Sequence, residues 1–230
     1  MVLDRHRGVL DPILNPWTHV LRNVNPNTLS WISFPFAVAA GLFFYFSDPT
    51  QTPERFYIVA AAFCVMLNGI LDLLDGRVAR LANKQTKLGD FLDHTLDRFA
   101  DVVILTGLAL SPWGAPRVGL VAIVVVLLSS YIGTQAQAVG HGRIYGGMLV
   151  RADRMVLLMA LPLIDAYLAH AGITLDFLSF LPGTQYTLGL FLYYVAIAGT
   201  ITMMQRFVRI LVFLYRQKPE SPEPEGPRQP

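Results

Sequence analysis

Residues 72–97 read DLLDGRVARLANKQTKLGDFLDHTLD, a stretch in which charged side chains interrupt otherwise apolar segments. Successive residues of an α-helix are separated by about 100° around its axis. Asp72 and Asp75 therefore lie about 60° apart on one helix, and Asp93 and Asp97 about 40° apart on the next. Each pair projects from a single helix face, and the short polar connection lets the second helix return antiparallel beside the first. We expect the four carboxylates to converge between the two helices.

The composition around this stretch is typical of a membrane protein. Hydrophobic residues make up 53% of the 230 residues and charged residues only 15%, and the mean hydropathy is +0.47. Soluble domains carry about 25% charged residues. The formal net charge of +2 is too small to indicate a nucleic-acid partner. The sequence therefore predicts one domain that is largely surrounded by membrane lipids.

Six apolar segments are long enough to cross a membrane, and the predicted fold class is an all-α membrane protein with six transmembrane helices. They are followed by a proline-rich polar tail, residues 217–230, that we expect to be disordered. Residues 1–24 repeat apolar side chains every three or four positions, which is typical of an amphipathic juxtamembrane helix on the membrane surface or packed on a neighbouring segment. The six-helix domain is predicted at 25–216, with spans near 28–47, 53–81, 88–111, 118–140, 148–169 and within 177–205, continuing past 206.

Basic residues are distributed unequally between the two ends of these spans. If both termini are cytoplasmic, Arg55 and Arg117 are the only lysines or arginines in the outer segments. Cytoplasmic segments of membrane proteins carry an excess of Lys and Arg. We therefore expect a multi-pass protein of the cell membrane whose acidic residues face the cytoplasm.

The acidic stretch requires cations if its carboxylates meet. Carboxylates gathered in a low-dielectric site repel one another unless positive charge offsets them. Magnesium ions take oxygen ligands and commonly join carboxylates to substrate phosphates. The basic side chains nearby, at Arg77, Arg80 and Lys87, either bind phosphate or balance the carboxylates. The alternative without a ligand is a charged helix hairpin that packs in the fold and binds no substrate.

Residues 72–97 resemble the signature of the CDP-alcohol phosphotransferases, which reads Asp-x2-Asp-Gly-x2-Ala-Arg-x8-Gly-x3-Asp-x3-Asp. The predicted six-span layout also fits that family. Every fixed position of the signature is present, at Asp72, Asp75, Gly76, Ala79, Arg80, Gly89, Asp93 and Asp97.

The resemblance implies a homodimeric six-helix enzyme of phospholipid biosynthesis that transfers a lipid-phosphate group from a CDP-activated lipid to a small alcohol and releases CMP. It implies Asp97 as the general base on the incoming hydroxyl. It also implies two bound Mg²⁺ (or Mn²⁺) ions and a CDP site. By position in the signature, the metal ligands would be Asp72, Asp75, Asp93 and Asp97, and the CDP site would comprise Asp72, Gly76, Ala79, Arg80 and Gly89.

The connection into the fifth span is basic, with Arg143 followed by Arg151 and Arg154, which share a helix face because they are three residues apart. Paired guanidinium groups bind phosphate well. This segment, and Asp101 after Asp97, resemble the phosphatidylinositol-phosphate and archaetidylinositol-phosphate synthases, so inositol phosphate is the favoured acceptor. Asp101 is interpreted as a metal ligand, as a residue supporting the ligands or as a partner of an arginine.

Other acceptors and another class of protein stay open. A glycerol-phosphate acceptor would satisfy the same arginines, whereas serine or an amino alcohol would not need them. The arginines are also explained if they anchor the protein to anionic lipids. A divalent-cation transporter is the alternative class, because intramembrane carboxylates also mark ion pathways. Clustering of the acidic residues near one membrane face, rather than along a pore, favours the enzyme.

Overall fold

The computed structural model describes residues 7–51, 53–142, 144, 146–175 and 180–217. Within these residues all regular secondary structure is helical, which confirms the all-α fold class. Most of the predicted tail, from residue 218, lies outside the described residues. The helices are α1 (Arg7–Val20), α2 (Pro26–Phe46), α3 (Glu54–Leu81), α4 (Lys87–Leu110), α5 (Pro116–Ala138), α6 (Arg151–Ala171) and α7 (Thr187–Arg216), with a short 3-10 turn at Leu21–Asn23.

Five of these helices, α2, α3, α5, α6 and α7, are long and apolar enough to cross a membrane. Helix α4 has a suitable length, but its first half carries several acidic residues and an arginine, which lower its hydropathy. The fold is therefore that of a multi-pass membrane protein, and the sixth crossing stays a prediction.

Helix α1 packs against α3. Leu14 and Thr18 are buried, whereas Trp17 is 60% exposed. A polar contact joins the two helices, because the Nη1 of Arg77 donates to the Oδ1 of Asn15 at 3.3 Å. Of the two interpretations of this segment, packing on a neighbouring helix is observed, and its position at a membrane surface stays a prediction.

Helix α2 is the element on which both signature helices pack. Helices α3 and α4 do not pack closely on each other, so the expectation of two antiparallel helices lying side by side is wrong. The contact between α2 and α4 is made by glycines: a Cβ on Gly41 would lie 2.6 Å from the carbonyl oxygen of Val103, and one on Gly107 would overlap the backbone of Gly41. Small residues allow this close approach of helices in membranes. Because α3 and α4 pack on α2 rather than closely on each other, a space remains between them.

The remaining helices close the fold around this arrangement. Helix α6 packs against α3, and α7 packs mainly against α5 and also against α6. The α3–α6 contact brings the first turn of α6 to the acidic end of α3. Residues more than 70 positions apart in the sequence therefore share one site.

Helix α7 begins at Thr187, inside the run at 177–205 in which the sixth span was predicted, and a residue of α6 explains where it starts. The fully buried carboxylate of Asp165 accepts hydrogen bonds at 2.8 Å from the backbone N–H and the hydroxyl of Thr187 and from the N–H of Leu188. A carboxylate at this position satisfies the unpaired N–H groups of a helix start and interacts favourably with the helix dipole. The apolar residues before Thr187 that the structure describes form turns instead.

We predict that Gly107→Ala destabilises the protein by about 1–3 kcal/mol, because the added methyl group forces α2 and α4 apart. Thermal unfolding of the purified protein in detergent should show a lower midpoint. Gly69→Ala on α3 is the matched control, since its Cβ would lie 3.8 Å from the Cε of Met155, an ordinary contact. Equal midpoints for the two variants would show that the glycine contact does not set the helix spacing.

Candidate active site

Three of the four predicted carboxylates meet in the structure. One oxygen atom from each of Asp72, Asp75 and Asp93 lies within 4.8 Å of the other two. Asp75 is buried and the other two are partly exposed. Carboxylate oxygens are the ligands that Mg²⁺ and Ca²⁺ prefer. This cluster, which we call the acidic cluster, is therefore able to hold a divalent cation.

The position of Asp75 is fixed by α2. The hydroxyl of Ser30 donates to the Oδ2 of Asp75 at 2.5 Å. Helix α2 begins directly before this contact, where the side chain of Asn25 accepts a hydrogen bond from the N–H of Asn27 and Pro26 occupies the first helical position. This cap fixes where α2 starts and hence where Ser30 meets the carboxylate. Sequence reasoning missed Ser30, for which the one available signal is a polar residue in an apolar helix.

Asp97 lies beside the acidic cluster and shares an arginine with it. The Nη1 of Arg151 lies 2.6 Å from the Oδ2 of Asp72 and 2.8 Å from the Oδ1 of Asp97. A single guanidinium nitrogen from α6 thus joins α3 to α4. Such charge-assisted hydrogen bonds are short and strong. The carboxylate of Asp97 faces the same site as the cluster, but it is not among the three that share the close oxygen contacts.

A second ion-pair group lies one helical turn further along α4. Asp101 is 5% exposed, and its Oδ2 lies 2.8 Å from the Nη2 of Arg154 and 3.5 Å from the Nη2 of Arg98. Its Oδ1 lies 3.8 Å from the Nε of Arg151. Asp101 is therefore a partner of arginines, most closely of Arg154. The two arginines predicted to share a face do point at one site, where they contact acidic residues.

A cavity of about 340 Å³ opens beside the acidic cluster, between α2, α3, α4 and the connection at 84–86. A Cβ on Gly89 would lie 3.1 Å from the Oδ1 of Asn27 and so would crowd the wall. The Oγ1 of Thr86 accepts from the N–H of Gly89 at 3.0 Å and caps α4. Signature residues that line the cavity are Asp75, Gly76, Ala79, Arg80, Gly89 and Asp93.

Arg206 on α7 is a residue of the site region that the acceptor prediction did not include. Its Nε donates to the carbonyl oxygen of Gly146 at 3.0 Å, and its Nη1 donates to that of Ser129 at 2.6 Å. It lies within electrostatic reach of Arg98 and Arg154. From the sequence, Arg206 and Arg209 are expected to extend toward the membrane interface, with a lipid phosphate as a further contact for Arg206. Arg143 lies outside the described residues.

Comparison with known proteins identifies the family. A family model described as CDP-alcohol phosphatidyltransferase matches residues 23–202. The chain belongs to this family. It is thus an integral membrane enzyme, a transferase of phospholipid biosynthesis, and the resemblance carried by residues 72–97 is confirmed.

Several CDP-alcohol phosphatidyltransferases are similar to this chain in sequence. The phosphatidylinositol phosphate synthase of Cutibacterium acnes is 29% identical over 219 residues, which cover 91% of this chain and 97% of that protein. The archaetidylinositol phosphate synthase of Pyrococcus horikoshii is 29% identical over 143 residues, which cover 62% of this chain and 71% of that protein.

Solved structures of this family have the same fold. The crystal structure of Mycobacterium tuberculosis phosphatidylinositol phosphate synthase with CDP-DAG bound matches with a TM-score of 0.63 and 25% identity, covering 86% of this chain and 94% of that chain. A second structure of that synthase, in complex with manganese and citrate, matches with a TM-score of 0.63, covering 85% of this chain and 88% of that chain.

The buried pair of Asp101 and Arg154 provides a stability test for this transferase. We predict that Arg154→Met lowers the free energy of unfolding by about 3–5 kcal/mol, because the buried carboxyl group of Asp101 loses its nearest positive partner. The double variant Asp101→Asn with Arg154→Met should recover much of this loss. Chemical unfolding of the four proteins in a double-mutant cycle measures the coupling. A coupling energy near zero would contradict the importance of this pair.

Proposed function

We propose that this CDP-alcohol phosphatidyltransferase transfers the lipid-phosphate group of a CDP-activated lipid to inositol phosphate and releases CMP. The observation that carries this proposal is the acidic cluster beside a cavity lined by the other signature residues, with the arginines of α6 directly adjacent. The names of the similar proteins support the acceptor, and the CDP-DAG in the mycobacterial structure supports the donor. Glycerol phosphate, serine and an amino alcohol are the alternative acceptors.

We propose that Asp72, Asp75, Asp93 and Asp97 bind two divalent cations, Mg²⁺ or Mn²⁺. The donor set fits such ions, because it consists of carboxylates and the oxygens of three of them are within 4.8 Å of one another. Manganese in the structure of the mycobacterial synthase supports the choice of ion. Bound cations neutralise charge on the pyrophosphate and on the departing CMP.

The cavity is proposed as the cytidine-diphosphate site, together with Asp72. Gly76, Ala79 and Gly89 leave its wall without bulky side chains, so a flat base can approach the backbone. Arg80 lines the same cavity and supplies positive charge for the pyrophosphate. The small residues thus leave room for the base, and the arginine binds the pyrophosphate. This explains why the signature contains both small and basic residues.

Asp97 is proposed as the general base. It takes the proton from the acceptor hydroxyl while the hydroxyl oxygen forms a bond to the lipid-bearing phosphorus and the bond from that phosphorus to CMP breaks. In the structure, Arg151 contacts one oxygen of Asp97. A carboxylate beside cations stays ionised, so Asp97 acts as a modest base that relies on position.

Arg151 and Arg154 are proposed to bind the acceptor phosphate, with Arg143 as a further predicted contributor. Arg206 joins this proposal because it lies within electrostatic reach of Arg154. Guanidinium groups from α6 and α7 then face the acidic cluster from the side of the incoming alcohol. This arrangement favours a phosphorylated acceptor over serine or an amino alcohol.

The membrane arrangement is proposed in the same terms. The domain at 25–216 crosses the cell membrane six times, with α4 as the sixth crossing, and its active site faces the cytoplasm because the basic residues concentrate on that side. Helix α1 lies on the membrane surface beside α3, and two copies form a homodimer. A transporter is disfavoured because Asp72, Asp75, Asp93 and Asp97 gather at one end of the fold rather than along a pore.

We predict that Asp93→Asn lowers CMP release from CDP-lipid at least ~10³-fold, because the cluster loses both charge and a metal-type ligand. Radiolabelled or chromatographic detection of CMP measures the rate. The control is Glu54→Gln, which removes a carboxylate from the opposite end of α3. Near-normal CMP release by Asp93→Asn would refute the proposed metal site.

We predict that inositol phosphate supports faster CMP release than free inositol or serine.

Arg206→Gln should raise the KM for inositol phosphate about tenfold and leave the KM for the CDP-lipid unchanged. The reason is the loss of one phosphate contact, worth about 1.4 kcal/mol. Steady-state kinetics with each substrate varied in turn separate the two constants. The same rise in both KM values would instead indicate a general disturbance of the fold.

A further inference from the structure

We propose that Arg151 competes with divalent cations for Asp72 and Asp97, so that metal loading releases this arginine for the acceptor phosphate. The inference rests on the proposed function and adds an order to it, with the metal binding before the acceptor. It assigns Arg151 two successive partners, first the carboxylates and then an anionic ligand.

The contacts of Arg151 carry the inference. One nitrogen, Nη1, is held by the Oδ2 of Asp72 at 2.6 Å and by the Oδ1 of Asp97 at 2.8 Å. These carboxylates are two of the four proposed metal ligands. Oxygen atoms that donate electron density to a guanidinium N–H are weaker ligands for a cation, so binding of one opposes binding of the other.

The charge balance gives the direction of the exchange. Asp72, Asp75, Asp93 and Asp97 carry four negative charges, which two divalent cations neutralise completely. Asp101 is already paired with Arg154 and Arg98. Arg151, which is 18% exposed, then has a positive charge without a full counter-charge in a largely buried site. Such a charge is costly unless an anion approaches it.

The geometry around Arg151 allows the exchange. Its Nε is buried and has no hydrogen-bond partner among the described residues, and it lies 3.8 Å from the Oδ1 of Asp101. This donor therefore gains a hydrogen bond if the side chain moves to an acceptor. Arg151 is the first residue of α6, and the preceding loop contains Gly146 and Gly147, both with positive φ. The side chain thus starts from a helix end rather than from the middle of a packed helix.

The competition predicts opposite effects of one arginine on two ligands. Removing Arg151 should strengthen cation binding and weaken binding of a phosphate monoester. An arginine that merely orders Asp72 and Asp97 for the metal predicts the reverse effect on the cation. Because linkage is reciprocal, a phosphate that captures Arg151 should tighten cation binding by the same factor by which the cation tightens phosphate binding.

The test measures Mn²⁺ binding to the purified full-length protein in detergent, from the electron paramagnetic resonance signal of free Mn²⁺. We expect Arg151→Gln to bind Mn²⁺ about tenfold more tightly than the unsubstituted protein, equivalent to about 1.4 kcal/mol. Arg117→Gln, at the other end of the fold on α5, is the control for loss of one positive charge. Equal or weaker Mn²⁺ binding by Arg151→Gln would overturn the inference.

A second measurement tests the coupling without depending on that variant. Inositol phosphate should tighten Mn²⁺ binding in the unsubstituted protein severalfold, and Arg151→Lys, which presents a single ammonium group to the two carboxylates, should show tighter Mn²⁺ binding and a smaller effect of inositol phosphate. Absence of any inositol phosphate effect on Mn²⁺ binding overturns the coupling.

The outcomes separate this inference from the proposed function. If Mn²⁺ does not bind the unsubstituted protein, or if Asp93→Asn binds it unchanged, the proposed metal site fails and the inference fails with it. If Mn²⁺ binds at the cluster and CMP is released, but Arg151→Gln leaves the Mn²⁺ affinity unchanged, only the competition is refuted.

Discussion

Like charges gathered at low dielectric are the constraint on which this structure depends. Five aspartates of α3 and α4 meet in one region, and isolated carboxylates there would be driven to take up protons or to separate. Arginines of α4 and α6 supply the positive charge that offsets these carboxylates. The first turn of α6 is therefore held to α3 and α4 by charge as well as by apolar packing. The position of α6 in the fold therefore depends on the charged residues of the site.

Helix α2 holds α3 and α4 so that the acidic region keeps room for a ligand. Because α3 and α4 both pack on α2 and not closely on each other, the space between them stays open at the acidic end. The glycine contact between α2 and α4 brings their backbones together, while Ser30 of the same helix α2 holds Asp75. One helix thus sets both the width of the cavity and the position of a carboxylate. An apolar core alone would not fix the rotation of α3 relative to α2, to which this hydrogen bond contributes.

The sequence predicted aspartates that the structure brings together, but it missed Ser30 and did not show how the residues contact one another. Helical periodicity placed the aspartates of each pair on one face, and the structure agrees for Asp72 and Asp75, which meet Asp93 from the other helix. Side-by-side packing of α3 and α4 was wrong because the signature gives no information about α2. The ion pair of Arg151 with Asp72 joins positions 79 residues apart, which no periodic pattern encodes. The residue at which α7 starts within its predicted run is not encoded locally either, since its cap, Asp165, belongs to another helix.

Two sets of contacts along α7 explain how a region distant from the signature could influence the proposed acceptor site. At the start of the helix Asp165 of α6 caps α7. In the middle of the helix the hydroxyl of Thr202 accepts from the N–H of Leu149 at 2.9 Å, and Arg206 donates to the carbonyl groups of Gly146 and Ser129. These hydrogen bonds hold the loop before α6 against α7. This contact sets the position of the arginines at the start of α6. The proposed phosphate site therefore depends on the register between α6 and α7, whereas the proposed nucleotide cavity depends on α2, α3 and α4. Two groups of helices that meet where α6 packs against α3 would supply the two halves of the reaction, and Arg151 and Arg154 reach from one group into the other.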